Sequence, residues 1–417
     1  MKILLAAIGT RGDVEPFLAL GEMLQNRGHE VTCQFPEQFR DLAANSNLAF
    51  EGLTPDFLEL INSPDGKMVM GGKGSLFAKL GAYLRVYQKS VGINAYMMRQ
   101  QHELAQSLQP DRILYSAKAT YAVVWEIMHP GKAINISPIP YLIHYVKDHG
   151  HIGFNGDYGP FLNKLTYKLI NYFLAQNIIS STKEIRKAVG VSARQVREVL
   201  TQKKMVYTLS RVFFKEQPYW PEQVKVLGYH ERPVTYNWEP DAALEKFLAS
   251  HDKIMLVTFG SMTNPEPKAK TALILKILTE LKIPALINVA AGGLVIPEEY
   301  DQDQFYFVTQ IPYEWVLPKM YAVVHHGGSG TSHLAVKHGC ATMIVPHILD
   351  QYIWNNIYTK VGVGPKGVAM DKITESNLKP KIKALFTDSK YKAQSERLAA
   401  EMNAEDFKDQ IIDFIEE

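Results

Sequence analysis

The sequence predicts an α/β protein made of two consecutive domains, each a doubly wound parallel sheet, and three observations carry that prediction. A βαβ pattern opens the chain, a second alternation of apolar runs and helical stretches begins near Lys253, and prolines cluster between the two. At 417 residues the chain is long enough for two or three domains of about 100–200 residues each. With 46% hydrophobic, 21% charged and 11% aromatic residues, its composition is that of a globular protein and excludes a disordered chain.

The apolar run Ile3 to Ile8 reads as the first buried strand. It has a passing likeness to a leader peptide, but the run is short and meets Arg11 and Asp13, so it is expected to stay in the fold. A turn with Gly9 and Gly12 follows, then a helical stretch from Glu15 to Arg27 and a second strand from Glu30 to Phe35. Further apolar runs at Arg112 to Tyr115 and Ala133 to Ile136 extend a parallel sheet covered on both faces. Between Ser75 and Gln109 the period is helical, with Phe77, Leu80, Tyr83, Leu84 and Tyr87 at spacings of three and four. Such a stripe is expected to face the core. From Ser137 to Phe161, the residues Pro138, Pro140, Gly150, Gly153, Gly156 and Pro160 predict a long irregular loop, the first candidate for a lip over a substrate.

Residues 1–215 are therefore assigned to a first domain and 216–252, with Pro218, Pro221, Pro233 and Pro240, to a linker. A second domain, 253–403, alternates strands at Ile254 to Thr258, Ala285 to Val289, Phe305 to Val308, Ala322 to His325 and Thr342 to Val345 with helices. The tail, 404–417, carries Phe407, Ile411, Ile412 and Phe414 on one face and predicts an amphipathic helix. In doubly wound sheets ligands bind beyond the carboxyl ends of the strands. That rule points to the loops after Ile8, Thr258, His325 and Val345.

The charge balance, 45 Lys plus Arg against 43 Asp plus Glu for a net +2, gives no general drive toward nucleic acid or anionic lipid. Cys33 and Cys340 are the only cysteines, too few for a disulfide framework or a zinc site, which fits a reducing, cytoplasmic compartment. No run of 18 apolar residues occurs, so at most peripheral membrane contact is expected.

The segment carrying the most chemistry is His325-His326-Gly327-Gly328-Ser329-Gly330-Thr331, set between an apolar strand and the helical stretch Ser332 to His338. Three glycines let backbone amides approach an oxyanion, and the helix N-terminus adds partial positive charge, which together make a phosphate cradle. A P-loop is excluded because neither this segment nor Gly71 to Gly74 ends in Gly-Lys-Ser/Thr. A dinucleotide fingerprint is excluded because Gly328 and Gly330 are followed by His333, and the first turn offers only Gly9 and Gly12. Asp350 and Gln351, after the apolar run ending at Val345, pair a carboxylate with an amide, a combination able to hold neighbouring sugar hydroxyls. Ser261, in Phe259-Gly260-Ser261, ends the first strand of the second domain and would face the same crevice or simply make a turn. Asp13, in Gly9-Thr10-Arg11-Gly12-Asp13, is equally readable as a helix-start carboxylate or as a catalytic group.

Taken in order, GTRGDVEP (9–16), VLGY (226–229), FGSM (259–262), IPYEWVLP (311–318), HHGGSGT (325–331) and PHILDQ (346–351) resemble the family 1 glycosyltransferases of the GT-B fold. The likeness is strongest to their sterol glucosyltransferase branch and its antibiotic and flavonoid relatives. The resemblance covers nearly the whole chain and implies two Rossmann-like domains facing a central cleft, the tail helix crossing back to the first domain. It implies an inverting transfer of a hexose, glucose from UDP-glucose, onto a hydroxyl of a lipophilic acceptor such as a sterol or flavonoid. It also implies Asp13 as general base, and Gly12, Ser261, His326, Gly328, Ser329, Gly330 and Thr331 at the donor diphosphate. Asp350 and Gln351 would hold the sugar hydroxyls, and no metal or cofactor is implied, the nucleotide sugar being a co-substrate.

The chain departs from the plant pattern at two positions. Leu334 stands where a glutamate meets the donor ribose, and about Gln310 where a tryptophan stacks on the base, while Trp315 is expected to pack rather than stack. A thymidine diphosphate sugar, as for a rhamnosyltransferase, is accordingly an alternative donor. A nucleotide sugar epimerase and a catalytically silent lipid- or nucleotide-binding module are the two rival readings.

Overall fold

The computed structural model describes residues 1–69, 76–154, 156–232, 238–264, 266–290 and 292–417. Ser75, the Gly71 to Gly74 segment and Pro233 lie outside the described residues, as does the side chain of Phe77. The chain forms two compact units, Met1–Pro233 with Asp406–Glu417, and Val234–Glu405.

The first unit is built on a parallel sheet of β1 (Lys2–Ala6), β2 (Glu30–Pro36), β3 (Ala49–Leu53), β4 (Arg112–Tyr115), β5 (Ala133–Ser137), β6 (Met205–Tyr207) and β7 (Val224–Val226). Their order is β3-β2-β1-β4-β5-β6-β7. Strand alternation decides which helices each face receives. Ile3 and Leu5 of β1 join a cluster with Phe17, Leu18 and Leu24 of the helix Arg11–Asn26 and with Ile411, Ile412 and Ile415. Leu4 and Ala6 point the other way, to Met97, Met98 and Ala105 of the helix Leu76–Leu108 and to Ala175 and Ile178 of the helix Pro160–Ser181. Both faces are apolar and covered, which is why the strands read as continuous apolar runs.

The second unit repeats the plan with β8 (Met255–Thr258), β9 (Ala285–Asn288), β10 (Phe305–Val308), β11 (Ala322–His325) and β12 (Ala341–Ile344), all parallel, in the order β10-β9-β8-β11-β12. In each unit the chain reverses its direction of travel across the sheet once, between β1 and β4 and between β8 and β11. Those two gaps are where a doubly wound sheet opens a crevice at its carboxyl edge.

Several expectations are corrected. The aromatic stripe of the helix Leu76–Leu108 does not face the core: Leu80, Tyr83, Leu84 and Tyr87 are each more than half exposed. Only the later part of that helix reaches the sheet, so a helical period identified a face without identifying what covers it. Residues 216–252 are not a plain linker either. Pro218 and Pro221 lead into β7, the edge strand of the first sheet, and the helix Ala242–Ala249 already packs in the second unit. Just before the division, Arg232 is tied to the first unit through Glu15 at 2.8 Å, Glu22 at 3.0 Å and Ser46 Oγ at 2.9 Å. The described residues between Ser137 and Phe161 are irregular apart from a short 3-10 turn at Ile152–Phe154 and a bridge between Val146 and His149, and the stretch buries its own His144, His149 and His151.

The tail forms the helix Lys408–Glu416, which belongs to the first unit. Arg112 holds its end by donating to Ile415 O at 2.9 Å and Glu416 O at 2.8 Å. No helix among the described residues is long and apolar enough to cross a membrane. Because Ile411 is fully buried, Ile411→Ala is expected to cost about 2–5 kcal/mol of stability. Denaturant unfolding followed by far-UV circular dichroism reads that loss, and a midpoint unchanged from wild type would mean the tail helix is not part of the first unit's core.

Candidate functional site

In the second unit, β11 ends at His325 and the chain turns through Gly327, at φ +97°, to Gly328, the N-cap of the helix Ser329–Lys337. This helix starts three residues earlier than the expected Ser332. Ser329, Gly330 and Thr331 thus form its first turn, where backbone amides have no acceptor within the helix. Ser329 Oγ is buried and meets no hydrogen-bond partner among the described residues.

Missing β-carbons let the loops close on one another. A β-carbon on Gly327 would lie 2.7 Å from the Ile344 side chain and 3.3 Å from Gln351 Cα, and one on Gly328 would lie 2.5 Å from His326 Nε2. Gly260, at φ +54°, would bring its own to 2.8 Å from His326 Cε1. The loops after β8, β11 and β12 therefore meet around the His326 ring, and Ser261 sits exposed in the turn beside Gly260. Thr258 Oγ1, at the end of β8, bonds Tyr313 Oη at 2.8 Å.

Asp350 and Gln351 open the helix Asp350–Val361, with Leu349 before them at φ +31°. The two have different surroundings. Asp350 is half-buried, whereas Gln351 is 4% exposed and its Oε1 accepts from the amides of His347 at 2.7 Å and Ile348 at 3.2 Å. Gln351 therefore shapes its own loop. Leu334 is buried, Gln310 exposed, and Trp315 packs edge-on against Trp238 at 4.9 Å with Lys319 Nζ 3.9 Å from its ring centre.

The site's imidazoles are neutral. Burial, then the nearby His347, pushes His326 down to about 3, and burial pushes His347 and His333 down to about 4. His325 is also driven far down by burial and then by His326. At neutral pH the charge complement for an anion here comes from helix N-terminal amides rather than from imidazolium. No cluster of three or more His, Cys, Asp or Glu able to hold a metal occurs among the described residues.

In the first unit, Asp13 and Gly12 lie in the first turn of the helix Arg11–Asn26, after β1 and at the switch beside β4. Asp13 Oδ2 accepts from Thr10 N at 2.8 Å and Thr10 Oγ1 at 3.1 Å, so its helix-capping role is realised. Its Oδ1 lies 3.3 Å from Lys118 Nζ, from the loop after β4. Gly9, at φ +147°, leaves room for this carboxylate: a β-carbon there would come within 2.2 Å of Oδ2. Lys118 had no signal in the sequence, and Tyr313 and His347 lie inside the motifs IPYEWVLP and PHILDQ without a role of their own there, because only the fold shows what these side chains meet.

The geometry can be set beside known proteins. Residues 3–108 match the glycosyltransferase family 28 N-terminal domain, and residues 302–417 the erythromycin biosynthesis protein CIII-like C-terminal domain. Sterol 3-beta-glucosyltransferase UGT80A2 of Arabidopsis thaliana is 28% identical across 97% of this chain, and the Vanderwaltozyma polyspora sterol 3-beta-glucosyltransferase 25% identical across 93%. The chain spans 64% and 32% of the lengths of these two relatives. Among solved structures, the calicheamicin glycosyltransferase CalG4 superposes with a TM-score of 0.71 at 17% identity, covering 100% of this chain and 97% of that one. The spinosyn rhamnosyltransferase SpnG, complexed with thymidine diphosphate, gives 0.65 at 14% identity with full coverage of both chains.

Two Rossmann-like parallel-sheet units with a glycine-rich helix start at the switch point of the second define a GT-B protein. Within that class, the family models that match its two ends and the relatives that match along its length are those of glycosyltransferases.

The buried imidazoles give a pH signature. His144, His151, His333 and His347 sit at about 4 and His326 at about 3 in the folded chain, against 6.5 for a free imidazole. Unfolding below pH 6.5 takes up protons that the folded chain refuses, so this contribution to stability is complete above 6.5 and is lost as pH falls toward 4. Each such group contributes up to about 1.4 kcal/mol per pH unit in that window. Thermal melting at pH 7.5 and pH 5 checks it: the midpoint is expected to fall by several degrees, and an equal or higher midpoint at pH 5 would contradict the neutral imidazoles.

Proposed function

We propose that this chain is an inverting glycosyltransferase that moves a hexose from a nucleoside diphosphate sugar to a hydroxyl of an apolar small molecule. The observation that carries this reading is the start of the helix Ser329–Lys337 at the switch between β8 and β11, where close-approach glycines surround the buried, unpartnered Ser329 Oγ. The amides of Ser329, Gly330 and Thr331, with Ser261 and the neutral His326, would stabilise charge on the departing diphosphate without a metal. Asp350 would accept from the sugar hydroxyls, with Gln351 holding the loop that presents it. Asp13 would take the acceptor proton as that hydroxyl attacks the anomeric carbon opposite the diphosphate.

Transfer of glucose to a sterol is supported by the names of the curated relatives, and UDP-glucose as the donor by the motif resemblance. Thymidine diphosphate sugars are the second donor reading. Leu334 lies buried where the plant pattern has its ribose-binding glutamate, and SpnG was solved with thymidine diphosphate.

The test incubates the purified chain with UDP-glucose or dTDP-rhamnose, a sterol and flavonoid panel, and EDTA, and reads glycosides by mass spectrometry. Product that survives EDTA is expected. Donor epimerised with no acceptor glycosylated would replace this reading by an epimerase, and donor binding without turnover by a silent binding module. Asp13→Asn keeps an acceptor for the Thr10 contacts but removes the base, so it is expected to melt close to wild type and lose about 10²–10⁴-fold in turnover. Asp13→Ala should lose the cap as well, at about 1 kcal/mol of stability. Undiminished turnover in Asp13→Asn would leave Asp13 as a capping residue. Ser329→Ala is expected to weaken UDP binding by about 1 kcal/mol, roughly fivefold, in titration calorimetry. Unaltered affinity would move the diphosphate away from this helix start.

A further inference from the structure

The helix Pro160–Ser181 is apolar on its outer face as well as its inner one. Beside the buried Tyr167, Ala175 and Ile178, two polar residues face inward: Asn163 Nδ2 donates to Lys147 O at 3.0 Å and to Asp157 Oδ1 at 2.7 Å, and Thr166 Oγ1 accepts from the His151 amide at 2.8 Å. Its outer face shows Phe161 at 81% exposure, Leu162 and Leu165 at 50%, Leu169 at 44%, Tyr172 at 55% and Phe173 at 57%. Leaving large apolar side chains in water while burying an asparagine and a threonine is costly unless another apolar medium covers the face.

The helix Leu76–Leu108, in the same unit, behaves alike. Met97, Met98 and Ala105 anchor it in the cluster that also takes Ala175 and Ile178 of the first helix. Toward its N-terminus it exposes Leu80, Tyr83, Leu84, Tyr87 and Val91. In the helix Leu76–Leu108 the core contacts Met97, Met98 and Ala105 lie in the C-terminal part and these exposed apolar residues in the N-terminal part, whereas in the helix Pro160–Ser181 the two faces run side by side from Phe161 to Phe173.

The charges carried by these two helices are mostly positive. Between Pro160 and Ser181 the only charged residues are Lys164 and Lys168, both exposed, and no acidic residue occurs. On the helix Leu76–Leu108, Arg85, Lys89 and Arg99 stand against Glu103 alone among the described side chains. The nearby carboxylates are already engaged, Asp157 by Asn163 and the Gly159 amide, and Asp65 by Arg85 at 2.7 Å. A chain that is nearly neutral overall thus concentrates lysine beside its largest exposed apolar faces.

We propose that this face of the first unit docks on a bilayer containing anionic lipid. Phe161, Leu165 and Phe173 enter the boundary between headgroups and acyl chains, while Lys164 and Lys168 meet lipid phosphates. The charge pattern selects this occupant: a two-fold pairing with a second copy would set the same lysines against one another. An apolar acceptor of the kind proposed above resides in such a bilayer. The docking itself is read without donor or acceptor, so its failure and the failure of the transferase reading are separate results.

The experiment is cosedimentation of the full chain with vesicles of phosphatidylcholine alone or with about 30% phosphatidylserine, at low and high salt, a range over which exposed charges are progressively screened. Binding to the anionic vesicles that weakens with salt is expected. Lys164→Glu and Lys168→Glu should each reduce it by about fivefold or more, and Phe161→Ser with Leu165→Ser should abolish it while leaving the thermal midpoint unchanged. Absence of binding to either vesicle, equal binding to both, or sedimentation showing a dimer that Phe161→Ser dissolves would each overturn the proposal.

Discussion

A side chain at Gly328 would place its β-carbon 2.5 Å from His326 Nε2, and one at Gly260 would come within 2.8 Å of the same ring. Together with Gly327 against Ile344 and Gln351, these close approaches let the loops after three strands of the second unit share one packed centre. The consequence is electrostatic as well as steric. A ring enclosed on all sides loses its hydration, so His326 is neutral, and its neighbours His325 and His347 are neutral for the same reason. What the site can offer an anion is therefore a set of fixed dipoles, the amides at the start of the helix Ser329–Lys337. They need no reorganisation when charge arrives.

Packing constraints of the same kind explain which parts of the fold were legible in the sequence. Strands covered on both faces must be apolar throughout, and β1, β4, β5 and the strands of the second unit announce themselves as such runs. The strand β3 has Glu51 exposed and only Leu53 fully buried, and β6 and β7 are three residues each, so they carry no comparable signal. Prolines near β7 end irregular backbone rather than a domain. The aromatic stripe misled for a different reason: a 3.6-residue period reports that a helix has an apolar face, and says nothing about whether protein or another medium covers it.

Within the site, glycines and hydroxyls at a strand end were readable because the chemistry of close approach requires those residue types locally. The partners were not. Lys118 reaches Asp13 across 105 residues of chain, and His347 presents its amide to Gln351 only because the loop after β12 folds back. Gln351 shows how a correctly located residue can serve another purpose. With its Oε1 occupied by two backbone amides, it contributes to the loop's shape before it contributes to any ligand.

Asp13 carries the sharpest competition between demands. As a capping carboxylate it uses Oδ2 on Thr10, and as a base, on the proposed reading, it must present a lone pair to an acceptor hydroxyl. The geometry divides the two oxygens between these roles, since Oδ1 is left facing Lys118 at 3.3 Å, with the lysine side chain half exposed. An ion pair so exposed is worth about 0–1 kcal/mol, whereas a positioned base contributes about 10²–10⁴-fold, near 3–5 kcal/mol. An incoming hydroxyl can therefore displace the lysine at small cost. The Thr10 contacts, made by a rigid helix start and admitted by the missing β-carbon of Gly9, keep the carboxylate aimed while it does so.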